Sequence, residues 1–393
     1  MKGEMCAMID ETSSDIRDSV KYECDCHGPH SRASVKGYEE HTTNSISPNE
    51  SLFNLSAEGS PSKNQNTALT HLTNLVEDYH SFNPSQPSLL PYPSPLDFSK
   101  QVSKGIPAVY TLPKAHQFCP AQSWTRSSLI SAIREPVEVA VTPNGRADSL
   151  QHIASEAKAV FLQPASIHMT LSQLFEKLDQ PQTLPVYYLQ SQNDNLNSDT
   201  PLTPLVADLP SNIPFAEDVL GQPEAINIWI GTYASVTSTH RDPYENLYLV
   251  LKGSKTFILF APVDELALCA EQVRTGRYEY SVDNSEFSIV MDETAETIPW
   301  IPVDPLLPRE VIMQRYPLYR YARPQRVTVS EGEILYLPAG WFHHVEQECG
   351  TWDDGSVAPC IAVNYWYDQD YEGEKYVMRQ HVGRLVQQVR DDM

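Results

Sequence analysis

His240-Arg-Asp-Pro-Tyr-Glu-Asn-Leu-Tyr-Leu-Val-Leu-Lys-Gly-Ser-Lys-Thr-Phe-Ile-Leu-Phe260 is the stretch that decides the fold. In an extended strand, residues i and i+2 project from the same face. The imidazole of His240 and the carboxylate of Asp242 therefore aim at one point. Two apolar runs follow, 244–251 and 256–260, broken by Lys252-Gly253-Ser254-Lys255. A break of that length between apolar runs predicts a tight hairpin. Lys255 opens the returning strand and can point back toward His240. On its local pattern alone, however, a lysine beside Gly-Ser reads as a solvated turn residue.

A second stretch answers the first about a hundred residues later. Residues 331–346 read Glu-Gly-Glu-Ile-Leu-Tyr-Leu-Pro-Ala-Gly-Trp-Phe-His-His-Val-Glu. This predicts a strand, a Pro-Ala-Gly turn and a second strand carrying His343 and His344. Adjacent residues on a strand face opposite sides, so one histidine points inward. If that is His343, Val345 joins it and His344 points away. Two histidines and a carboxylate from distant parts of a chain match the facial triad of non-haem iron(II) oxygenases. Zinc in a hydrolase uses the same donor set, and the triad alone leaves both open.

Further strands are expected at 137–141, 186–190, 226–230, 327–329, 334–337 and 361–366, with the turn signal Thr-Pro-Asn-Gly at 142–145. Many short strands separated by turn signals predict a β-sandwich or barrel. The long connection from Phe260 to Val327 is of the kind that covers a site. A helix is expected over 68–79, with Leu69, Leu72, Leu75, Val76 and Tyr79 on one face and Asn66 or Thr67 as cap. A proline-rich segment, 84–95, reads as an extended linker or wall. The C-terminal stripe of Val377, Val382, Leu385, Val386 and Val389 predicts a helix packed on its own domain.

The chain has 393 residues and a net charge of -23. Residues 1–66 carry 6 basic and 11 acidic side chains, so most of that charge belongs to the remainder, 67–393. Capture of nucleic-acid phosphates needs the opposite sign, and an acidic body suits a basic partner. No run approaches the length of a membrane helix, and the start shows no secretory signal. Seven scattered cysteines argue for a reducing compartment, cytoplasmic or nuclear. Residues 1–66 read as a disordered extension. Their Cys24, Cys26, His27 and His30 resemble metal spacing but lack a completing ligand cluster.

Several stretches together resemble one family: 139–148, 186–190, Thr237 to Tyr248, Pro299-Trp-Ile-Pro302, Leu335-Tyr-Leu-Pro338, Trp341-Phe-His-His-Val345 and Val363-Asn-Tyr-Trp-Tyr-Asp368. The sequence is similar to the JmjC branch of 2-oxoglutarate oxygenases, in its cupin-like hydroxylase group. The resemblance spans about residues 90–375. It implies a mainly β fold, a double-stranded β-helix or jelly-roll, with flanking N- and C-terminal helices.

It also implies that His240, Asp242 and His343 bind Fe(II). Lys255 would pair with the distal carboxylate of 2-oxoglutarate, which reverses the local reading of that lysine. Thr237 and Tyr188 would hydrogen-bond the cosubstrate, Asn364 would line the same pocket, and O2 would complete the reactants. Of Tyr187 and Tyr188, the family pattern favours Tyr188 for the cavity. Trp229, Trp300 and Trp366 read as core or cavity wall. Arg241, Pro243 and a lengthened loop at 348–359 depart from the family pattern. The resemblance implies a protein hydroxylase acting on lysine of a GTP-binding protein, and a homodimer through the C-terminal helix. A lysine demethylase and a non-catalytic cupin-type binding module are the competing readings.

Overall fold

The computed structural model describes residues 62–392, apart from 114–117, 191–193, 197–198 and 294–295, with side chains from residue 67 onward. The cysteine and histidine pattern at 24–30, and the extension that holds it, lie outside the described residues.

Two sheets face each other. One is built from β1 (Ser88–Pro91), β2 (Ala108–Thr111), β4 (Ala225–Gly231), β6 (Tyr244–Lys252), β9 (Glu333–Leu337) and β11 (Cys360–Asp368), in the order β1-β2-β9-β6-β11-β4. The other holds β3 (Arg146–Ala147), β5 (Val236–Arg241), β7 (Ser254–Phe260), β8 (Gln325–Ser330) and β10 (Phe342–Glu348), in the order β8-β7-β10-β5-β3. This is the double-stranded β-helix expected from the sequence.

The predicted hairpin across Gly253-Ser254 is corrected. β6 pairs with β9 and β11, whereas β7 pairs with β8 and β10, so the two apolar runs lie in different sheets. Gly253 carries the chain from one sheet to the other at φ 72°. A Cβ there would sit 2.3 Å from the carbonyl oxygen of Glu348, so the crossing requires glycine.

Burial explains why residues 247–251 are apolar without alternation. Tyr248 and Val250 face the core between the sheets, with Trp229, Phe257, Leu259 and Val345. Leu247, Leu249 and Leu251 face a second core with Ile228, Ile334 and Tyr365. The first sheet is thus covered on both sides. The outer face of the second sheet, through Ile258, Phe260 and Phe342, packs on Val303, Ile312 and Tyr319 of the long connection.

The N-terminal helix α1 runs Ser62–Phe82 and the C-terminal helix α2 runs Glu374–Asp391. The cap expected at Asn66 or Thr67 is therefore inside the helix, which begins a turn earlier. Leu72 of α1 meets Val386 and Val389 of α2 in a shared cluster, with Val382 and Leu385 beside it. Val377 is left 60% exposed, so the C-terminal stripe packs on its own domain through its second half. The proline-rich segment contributes β1, a parallel edge strand on β2. Among the described residues, no helix is long and apolar enough to cross a membrane. Cys119, Cys269, Cys349 and Cys360 are free thiols.

Candidate metal centre

β5 and β10 run antiparallel, with His240 directly opposite His343. Directly paired residues share a face, so both imidazoles enter the space between the sheets. Asp242 follows His240 by two residues at the end of β5. One donor atom from each of His240, Asp242 and His343 lies within 4.8 Å of the others. Nε2 of His240 is 3.8 Å from Oδ1 of Asp242, and Nε2 of His343 is 3.6 Å from Oδ2. Those separations are too long for hydrogen bonds and suit donors arranged around one ion.

The backbone sets the tautomers. Nδ1 of His240 lies 2.8 Å from the carbonyl of Ser238, and Nδ1 of His343 lies 3.1 Å from that of Trp341. A carbonyl only accepts, so each Nδ1 carries the proton and each Nε2 presents a lone pair to Asp242. Burial, with the neighbouring His240, holds His343 well below the usual histidine range and hence neutral. Burial also raises the Asp242 carboxyl, against the pull of His240. Two imidazole nitrogens beside a desolvated carboxylate fit a divalent cation, which repays the cost of keeping Asp242 ionised.

The Pro338-Ala339-Gly340 turn holds the backbone of Asp242. Gly340, at φ 78°, donates its N–H to the carbonyl of Asp242 at 2.9 Å. Arg379 of α2 in turn donates to Ala339 O at 2.9 Å.

A bulge decides the place of Thr237. Thr237 pairs with Val345 and His240 with His343, so three steps on β5 match two on β10. The extra residue restores Thr237 to the face of His240, which simple alternation would deny it. Lys255 faces the same space: it lies opposite Gln347, and Leu259 lies opposite His343.

Lys255 is 2% exposed. Its Nζ donates to Oη of Tyr188 at 2.9 Å and sits over the rings of Tyr188, Trp229 and Tyr248 at 5.4, 5.9 and 5.4 Å. Among the described residues, no carboxylate pairs with it. Burial pushes the ammonium down from 10.5 to about 8, with Cys360 opposing. A buried cation held only by aromatic faces and one phenol awaits an anion. Tyr188, raised well above the ordinary phenol value by burial, keeps its proton. It accepts from Lys255 and has its O–H left to donate.

Asn364 is buried against the same aromatic wall: its carbonyl oxygen accepts from Nε1 of Trp229 at 2.7 Å and its amide reaches Asn246 at 3.4 Å. It braces the aromatic wall. Tyr187 packs into the outer core, so Tyr188 is the inward tyrosine. His344 lies on the opposite face from His343, opposite Ile258. Arg241 departs harmlessly: it pairs with Glu265 at 2.9 Å and lies over Phe342 on the outer face. Glu245 accepts from Tyr336 Oη and Ala339 N, a structural role. The 348–359 loop closes as a short hairpin, Gly350–Thr351 with Val357–Ala358.

Two pocket residues escaped the sequence reading. Gln347 donates to Thr232 O at 2.9 Å and leaves its Oε1 buried without a partner. Gly231 ends β4 against Tyr188, where a Cβ would meet Tyr188 Cδ2 at 2.5 Å and Gln347 Nε2 at 2.6 Å. The signal for the second was a glycine closing an apolar strand, which marks close approach. Gly231→Ala is expected to push the Tyr188 ring off Lys255. Overpacking should cost about 1–3 kcal/mol of stability. Binding of 2-oxoglutarate should weaken by roughly tenfold, the loss of about one such hydrogen bond. Thermal unfolding and a ligand titration would read both, and unchanged binding would show that the Tyr188 position does not matter to the pocket.

The family profile described as "Cupin-like domain" matches residues 94–373. The chain is 39% identical to "Bifunctional peptidase and (3S)-lysyl hydroxylase JMJD7" of Homo sapiens, over 73% of this chain and 86% of that protein. It is 37% identical to "Lysine-specific demethylase JMJ32" of Arabidopsis thaliana, over 71% and 81%. To "JmjC domain-containing protein E" of Dictyostelium discoideum it is 31% identical, over 72% and 84%. With these matches across the same two sheets that hold the His-Asp-His cluster, the chain belongs to the cupin-like JmjC family of 2-oxoglutarate-dependent oxygenases.

Proposed function

We propose that this protein is an Fe(II)- and 2-oxoglutarate-dependent hydroxylase of lysine side chains in proteins. The observation that carries the reading is Lys255, a buried ammonium without a carboxylate partner among the described residues, on the same inner face as the His240–Asp242–His343 cluster. Zinc hydrolysis needs no such cation; a dicarboxylate cosubstrate does. Iron with 2-oxoglutarate and O2 supplies oxidising chemistry in which the cosubstrate loses carbon dioxide to become succinate and one oxygen atom goes to substrate.

The chain's own residues do the rest. His240, Asp242 and His343 hold the ion from one side. Lys255 fixes the far carboxylate of the cosubstrate by a charge-assisted bond, and the O–H of Tyr188 donates to the same group. Thr237, brought inward by the bulge, offers a hydroxyl on the flank nearer the metal. Trp229, Tyr248, Phe257 and Val345 exclude water around the bound dicarboxylate. Exclusion of water strengthens each of these polar contacts.

Lysine as the target is supported by the human relative, named a lysyl hydroxylase, and by the acidic net charge of -23. A GTP-binding protein is the first candidate substrate. The plant relative, named a demethylase, supplies the second reading. Cell extract incubated with iron, 2-oxoglutarate and either the wild type or His240→Ala separates them by mass spectrometry. A one-oxygen gain on a lysine peptide, seen only with the wild type, is expected. Loss of a methyl group instead would establish the demethylase.

A further inference from the structure

Asp148 is a carboxylate beside the metal centre that the ligand set does not use. It directly follows β3, whose Arg146 and Ala147 run alongside Val236 and Thr237 of β5. Its backbone is left-handed, at φ 49°, a region that aspartate tolerates better than most residues. The residue is half-buried, and His240 is close enough to act on it electrostatically. Its hydrogen bond comes from Nε2 of Gln190 at 3.3 Å, two residues past Tyr188. The carboxylate thus sits between the metal strand and the segment that carries the cosubstrate tyrosine.

No lysine or arginine among the described residues pairs with it. Arg146, two residues away, is taken by Asp304 at 2.9 Å. His240 does not serve as its cation when ligating a metal, because ligation needs the neutral ring. A carboxylate withdrawn from water without a cation is unfavourable, and burial pushes the Asp148 carboxyl up to about 6 against the pull of His240 and Gln190.

Aromatic surface also adjoins the centre. Tyr244 lies two residues beyond Asp242 and stacks on Trp366, with ring centroids 5.0 Å apart and planes at 12°. Trp366 is opposite Asn246 on the first sheet, is 5% exposed, and has its indole Nε1 buried without a partner. A lone carboxylate and flat aromatic rings beside one centre suit a compact ammonium on an aliphatic stem.

We propose that Asp148 binds the ε-ammonium of the substrate lysine, while the Tyr244–Trp366 pair lines the course of its aliphatic stem past the metal. This rests on the lysyl hydroxylase reading and sharpens it. An ammonium held by a carboxylate presents its methylene chain, not substituents on nitrogen, to the centre. Hydroxylation of carbon follows, and removal of N-methyl groups is disfavoured.

The test uses the full chain loaded with iron(II) and 2-oxoglutarate under anaerobic conditions, so that binding is read without turnover. Fluorescence anisotropy would compare two labelled undecapeptide libraries, randomised around a central lysine or a central norleucine, which keeps the stem and lacks the ammonium. The wild type is expected to prefer lysine at least tenfold. Asp148→Asn should bring that ratio close to one, and Asp148→Glu should restore part of it. Retention of the lysine preference by Asp148→Asn, or its absence from the wild type, overturns the assignment. Iron content and 2-oxoglutarate affinity measured on the same samples keep the two readings apart: a wild type that binds neither defeats the oxygenase reading itself.

Discussion

His240→Ala is expected to abolish iron-dependent conversion of 2-oxoglutarate to succinate. The loss should exceed the roughly 10- to 100-fold that removal of an outer partner of a metal ligand costs. The reason is geometric. The donor set comprises two imidazoles and one carboxylate within 4.8 Å of one another, and deletion of one imidazole leaves two donors. The remaining His343 keeps its bond to Trp341 O, so the second imidazole stays in place and the effect falls on metal capture rather than on the fold. Iron content after dialysis should drop with activity, while thermal unfolding without metal should move little. A variant that retained iron and turnover would remove His240 from the ligand set.

Lys255→Met carries the second large effect, and it has two opposite signs. With cosubstrate, the variant loses a buried charge pair, and breaking such a pair by removing one partner costs about 3–5 kcal/mol. The 2-oxoglutarate requirement should rise on the order of a hundredfold to a thousandfold. Without cosubstrate, the wild type holds an unpaired ammonium and the variant does not, so the variant should be the more stable protein.

The size and pH dependence of that gain follow from the displaced pKa. The group falls from 10.5 to about 8 on folding. Below 8 the lysine is charged in both states, and burying the charge costs about 3 kcal/mol. Between about 8 and 10.5 the unfolded chain holds a proton that the folded chain has shed, so stability rises with pH. The advantage of Lys255→Met should therefore be full at pH 7 and vanish by about pH 10.5. Denaturant unfolding of both proteins at a series of pH values would show this; an advantage unchanged between pH 7 and 10.5 would mean that folding does not displace the Lys255 pKa. Saturating 2-oxoglutarate should reverse the order at pH 7.

The sequence determined what depends on near neighbours along the chain. Strand alternation joined His240 to Asp242 and required that His343 and His344 point apart, because successive side chains of a strand project to opposite faces. The spread of short strands indicated a β-sandwich or barrel, and the stretches resembling the family supplied the jelly-roll, Lys255 and Tyr188. Tertiary structure alone decided what depends on pairing between distant segments. Strand alternation left the inward histidine open and only the resemblance named His343; the register of β5 against β10 faces it inward and, through its bulge, turns Thr237 inward. Gly253 proved to be a crossing between facing sheets, not a hairpin turn, because hydrogen bonds to β8 and β10 claim β7 while β9 and β11 claim β6. That crossing also brings Lys255 onto the wall that carries the two histidines. Gly231, Gln347 and Asp148 became visible only where strands remote in sequence meet, since a close approach or an uncompensated charge is a property of the neighbours that folding supplies.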